Sequence, residues 1–168
     1  MSRFVLDASV ALCWCFENQA TKYTEAIFEM LAGGEEASVP FIWPIEVTNV
    51  LVTAERRRDL KPAQVTSFTE ELSAWPIQVD TVGLDRAFQQ ILSAARFHRL
   101  SAYDAAYLEL AIREGLPLAT LDNDLRKAAG AAGVKIAARS STWKISKESS
   151  GGEFASRDTL QRSFRKRK

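Results

Sequence analysis

The sequence predicts an α/β fold, a parallel sheet covered by helices on both faces. Two observations predict it: short strand-like runs alternate along the chain with segments in which apolar residues recur at helical spacing, and 168 residues suffice for one domain with its own core. A third observation concerns chemistry. Four well-separated acids stand at the starts of elements, where the strand-to-helix turns of such a sheet converge.

The first strand spans Arg3 to Asp7, and Asp7 opens a helix-like run from Ala8 to Phe16. Tyr23, Ile27, Met30 and Leu31 stripe the next helix, which leads to a strand at Ala37 to Pro40. Pro44 suits the first turn of a helix with Val47, Val50, Leu51 and Ala54 inward. That turn holds Glu46, in line with Asn49 and Thr53 beside the apolar stripe. A helix with Val65, Phe68 and Leu72 inward precedes the strand Ile77 to Asp80, and Phe88, Ile91, Leu92 and Ala95 stripe the helix after it. Asp104 opens another helix, on the same side as Leu108, Ala111 and Ile112. Strands at Pro117 to Leu121 and Val134 to Ala137 flank a helix starting near Asn123, and right-handed crossovers join the parallel strands.

Composition narrows the function classes. No apolar run approaches the roughly 20 residues of a membrane span, and the N-terminus lacks a signal-like segment, so a cytoplasmic location is expected. Cys13 and Cys15 point to different faces of a helix, and the single histidine, His98, is far away in sequence. They read as separate thiols of a reducing compartment rather than a zinc site. Charge is uneven. Lys144 to Lys168 carries eight basic and three acidic residues, a balance of +5, against 14 basic and 18 acidic residues before it. The expected organisation is a domain at 1–143 followed by a basic, flexible extension at 144–168 with a Ser149-Ser150-Gly151-Gly152 break. That extension reads as an inert tail, an RNA anchor or a self-inhibiting arm.

Each of the four acids, Asp7, Glu46, Asp104 and Asp122, has a plain structural explanation. Asp7 and Asp122 suit helix caps, Ser101 to Asp104 matches a capping box, and Glu46 is a first-turn acid that favours the helix dipole. Together they carry a second reading. Carboxylates gathered at one sheet edge repel unless cations or protons hold them, and magnesium prefers such oxygen ligands. Ion-activated water then attacks a phosphodiester in line. Ser9 and Thr120 can tether ligand acids or water, and Asp124 is a candidate outer ligand. Arg56, Arg57 and Arg58 read either as a solvated helix end or as a guide for RNA.

The blocks Phe4-Val5-Leu6-Asp7-Ala8-Ser9, Pro44-Ile45-Glu46-Val47-Thr48-Asn49-Val50-Leu51, Leu100 to Ala111 and Leu118-Ala119-Thr120-Leu121-Asp122 resemble, in type, order and spacing, the four motif blocks of PIN-domain ribonucleases. Among them the chain most resembles VapC toxins of toxin–antitoxin pairs. The resemblance implies a PIN-like α/β/α sandwich and an endoribonuclease dependent on one or two Mg2+ or Mn2+ ions held by Asp7, Glu46, Asp104 and Asp122. It also implies a VapB-type antitoxin, a homodimer, and structured RNA such as tRNA or rRNA as substrate. Two alternatives stay open: a degenerate domain that binds RNA or antitoxin without cleaving, and a phosphatase with Asp7 as nucleophile. The phosphatase lacks the second acid its chemistry wants, since Ser9 stands there.

Overall fold

The sheet consists of four parallel strands, in a computed structural model that describes residues 2–138. They are β1 (Arg3–Leu6), β2 (Glu36–Val39), β3 (Ile77–Val79) and β4 (Leu118–Ala119), in the spatial order β3-β2-β1-β4. In β1, Phe4, Val5 and Leu6 are all fully buried. Successive strand residues point to opposite faces, so helices cover both sides of the centre and the molecule is an α/β/α sandwich.

Between β1 and β2 lie α1 (Ala8–Leu12), a short 3-10 turn and α2 (Lys22–Ala32); between β2 and β3 lie α3 (Trp43–Arg56) and α4 (Pro62–Ala74). The expected stripes hold where α2 buries Ile27, Met30 and Leu31, α3 buries Val47, Leu51 and Ala54, and α4 buries Phe68 and Leu72. The helix expected from Ala8 to Phe16 stops at Leu12, its C-cap being Cys13.

The return from β3 to β4 departs from the periodicity. Leu84–Arg86 (α5) runs into a π turn, Ala87–Ile91, before α6 (Leu92–His98). A π turn inserts one residue into the helical repeat, which rotates everything after it. The expected inward stripe is broken as a result: Ile91 is buried, while Phe88 is 68% exposed and Leu92 39%. The next helix, α7 (Ala102–Glu114), is buried continuously from Ala105 to Ala111 because it lies among β1, β4, α6 and α8. Ile112, expected inward, is half exposed. Glu109 on α7 is balanced by Arg86 and Arg113, each at 3.1 Å, and Arg113 also reaches Asp80 at 2.6 Å.

After β4 comes α8 (Asn123–Ala131). The strand expected at Val134 to Ala137 is reduced to one parallel bridge between Ile136 and Leu118. The compact unit ends at Ala138, and the boundary expected at Trp143, with the basic extension from Lys144, lies outside the described residues. Among the described residues no helix is long and apolar enough to cross a membrane.

Candidate active site

The chain steps outward from β1 to β2 and β3, then returns to place β4 on the other side of β1. At such a reversal the loops after the two neighbouring strands diverge, leaving a crevice at their C-terminal ends. Asp7 follows β1 directly, and Thr120, Leu121 and Asp122 follow β4.

Asp7 is 8% exposed. Its Oδ2 accepts hydrogen bonds from Ser9 Oγ at 2.7 Å and Thr120 Oγ1 at 2.5 Å, and its Oδ1 accepts the Ser9 N–H at 3.3 Å, capping α1. The same two hydroxyls face onward to the other turn. Ser9 Oγ accepts the Leu121 N–H at 3.1 Å and Thr120 Oγ1 accepts the Asp122 N–H at 3.0 Å. This stitching explains why β4 is short, since the amides of residues 121 and 122 are directed to side chains rather than to a ladder. Burial raises the Asp7 carboxyl above the ordinary carboxylate range; the hydrogen bonds from Ser9 and Thr120 oppose it, and the charge of Asp104 adds to it.

Glu46 lies in the first turn of α3, where Pro44 fixes the start. Its Oε2 accepts the hydroxyl of Tyr107 from α7. Burial raises its carboxyl too, the Tyr107 bond lowers it, and the charges of Asp7 and Asp104 raise it further. Tyr107 itself is 1% exposed, and burial, then its bond to Glu46, push its phenol far above the usual range. Asp104 stands in the first turn of α7, its Oδ2 accepting from Ser101 Oγ at 2.6 Å while Ser101 Oγ accepts the Asp104 N–H at 3.1 Å. Asp122 caps α8 through the Leu125 N–H at 2.7 Å and is exposed at the rim. It is not among the charges that perturb Asp7 or Glu46. Three acids therefore share one electrostatic environment, and the fourth borders it.

Capping and convergence hold together: Asp7, Ser101 and Asp122 all cap, and the capped turns still meet at the sheet edge. Among the described residues none of the four acids has a basic partner in an ion pair. The nearby Arg126 instead donates to the Thr120 carbonyl at 2.8 Å and lies 4.8 Å over the Tyr23 ring. Carboxylates gathered without cationic side chains suit a hard divalent cation. Among the described residues, however, no three acidic, histidine or cysteine side chains stand close enough to cage an ion. Magnesium keeps several waters and is typically held by one or two carboxylates, so such a cage is not a requirement for it.

The remaining sequence-derived residues lie elsewhere. Asn49 is exposed, three residues after Glu46 on α3. Arg56, Arg57 and Arg58 are exposed at the far end of α3, about 15 Å from Glu46 along the helix axis. Asp124 is exposed and paired with Lys127 at 3.1 Å. The sequence reading left out Tyr107, although its position three residues after Asp104 puts both on one side of α7, a usable signal.

A family model described as PIN domain matches residues 4–131. Two solved structures resemble the fold. PAE2754 from Pyrobaculum aerophilum is 22% identical with a TM-score of 0.55, over 76% of this chain and 79% of its own. VapBC2 from Rickettsia felis, bound to a DNA fragment from their promoter, is 12% identical with a TM-score of 0.58, over 80% of this chain and 97% of its own. No curated protein matches.

Proposed function

Because the chain belongs to the PIN-domain family, we propose that it is a divalent-cation-dependent endoribonuclease and the toxin of a toxin–antitoxin pair. The observation that carries this reading is that Asp7, Glu46 and Asp104, from three separate elements, lie near enough to perturb one another's charge, with no ion pair to any of them among the described residues.

Asp7, Glu46 and Asp104 would hold Mg2+ or Mn2+, one or two ions, each ion resting on one or two of these carboxylates and its own waters, with Asp122 contributing from the rim. A bound ion supplies Lewis acidity at a phosphate oxygen and acidifies water for in-line attack. The chain's own residues do the positioning. Ser9 and Thr120 both donate to Asp7 Oδ2, which fixes the carboxylate plane and leaves Oδ1, with its longer 3.3 Å bond, as the oxygen with spare accepting capacity. The starts of α1, α7 and α8 direct positive potential toward the same edge, where a phosphate is attracted. Asp124, already paired with Lys127, and Asn49 act at most through water. Arg56, Arg57 and Arg58 attract the RNA backbone at a distance from the chemistry.

The VapC-like motif order and the fold shared with VapBC2 support a VapB-type antitoxin as partner. Structured RNA (tRNA or rRNA) as substrate, a homodimer and a cytoplasmic location belong to the same reading. The family match leaves the aspartate-nucleophile phosphatase without support.

The test is incubation of the purified protein with total RNA in Mg2+, Mn2+ or chelator. Internal cleavage only in the presence of an ion is expected. RNA binding with no cleavage under any condition means the degenerate, binding-only domain instead.

A further inference from the structure

We propose that Tyr107 is the positioning residue that sets the spacing of the three converging acids, acting as a strut between α7, α3 and the start of α1. This deepens the metal-site reading above and rests on it. The three acids come from separate elements and repel one another, so something neutral must hold them. Tyr107 touches all three elements. It shares α7 with Asp104, three residues earlier and on the same side. Its hydroxyl donates to Glu46 Oε2 on α3. The backbone N–H of Ala8, the residue after Asp7, is directed at the same phenol oxygen.

The ring is 1% exposed and packs within the continuously buried stretch of α7, so its hydroxyl cannot swing away without leaving a cavity. Among the described residues hydrogen-bonded to Asp7, Glu46 or Asp104, Ser101 is local to its own turn, while Ser9 and Thr120 join the turns after β1 and β4; Tyr107 is the side chain that ties α7 to α3. Without the strut, Glu46 relaxes away from Asp7 and Asp104 into solvent.

Partners that orient ligating carboxylates typically contribute about 10–100-fold in metal affinity or activity. Tyr107→Phe removes one oxygen and keeps the ring, and far-UV circular dichroism checks that it folds. Manganese affinity by calorimetry should fall at least about tenfold, with kcat reduced more than KM for RNA. The loss should vanish in a Glu46→Gln background, because the strut acts through that carboxylate. An undiminished manganese affinity in folded Tyr107→Phe overturns the strut and leaves the metal site standing, as does an equal loss in both backgrounds. A wild-type protein that binds no manganese overturns the metal reading and the strut with it. Should Tyr107→Phe not fold, comparison of Glu46→Gln with Glu46→Leu decides: the amide still accepts from Tyr107, so equal stability of the two metal-free proteins overturns the strut.

Discussion

Asp7→Asn should lower function and raise metal-free stability at the same time. The carboxyl is buried, and burial is the largest influence on it; three hydrogen bonds from Ser9 and Thr120 favour the charged form but do not reverse the direction, and Asp104 strengthens it. The folded protein therefore prefers the neutral acid, which asparagine imitates. Each unit by which folding raises the pKa costs the charged form about 1.4 kcal/mol, or about 3 °C in melting temperature at this chain length. The sign follows directly. The ordinary value is 3.8 and the folded value lies above it, so the contribution of Asp7 to stability is fully present below pH 3.8 and lost as pH rises through the folded pKa. At pH 7.5 in chelator, the variant should melt above the wild type. Saturating Mn2+ should invert that order, because an ion at a hundredfold excess over its dissociation constant adds about 2.7 kcal/mol to the protein that binds it. Differential scanning calorimetry in both conditions reads the crossing. A variant that melts well below the wild type in chelator means that burial does not destabilise Asp7, and one that gains as much from Mn2+ means that Asp7 is not a ligand.

Three further outcomes are expected. Glu109→Gln removes the charge that balances Arg86 and Arg113 while leaving an acceptor oxygen; loss of a buried charged partner costs about 3–5 kcal/mol, but the arginines are 39% and 24% exposed, so a loss of about 1–3 kcal/mol in urea unfolding is expected, with the Mn2+ response unchanged. Phe88→Ser should change stability by less than about 0.5 kcal/mol and Ile91→Ala should cost about 2–4 kcal/mol; the reverse order means that the π turn is absent. Removal of Lys144 to Lys168 should leave cleavage rate and salt dependence unchanged. A salt slope flatter by about 0.7 to 0.9 log units per lost phosphate contact marks the tail as an anchor, and faster cleavage at low salt marks it as an inhibitory arm.

The parts of the fold legible in the sequence are those where one local rule acts alone. The apolar run Phe4-Val5-Leu6 has no competing reading, and the stripes of α2, α3 and α4 keep a single inward face. Legibility fails where two demands meet. Phe88 and Leu92 belong to an apparent stripe, but the π turn changes the repeat and leaves them exposed. Residues 120 and 121 look like strand, yet Thr120 and the amides after it are taken up by Asp7, Ser9 and the turn. Ile112 continues a sequence face that α7, enclosed on several sides, does not need. At the site, the acids were visible because each also starts an element. For Tyr107 the spacing from Asp104 marks only its side of α7; its bond to Glu46, 61 residues away, follows from no spacing rule.

Whether the acids work as one metal-dependent nuclease site is read from the initial rate of RNA cleavage by purified Asp104→Asn at saturating Mn2+, with circular dichroism matched to the wild type. Among the described residues the hydrogen bonds of Asp104 outside the helix ladder go to Ser101 in its own turn, so its substitution leaves the strut and the core intact. A rate at background is expected, since the three acids act as one site. Cleavage at the wild-type rate would contradict it.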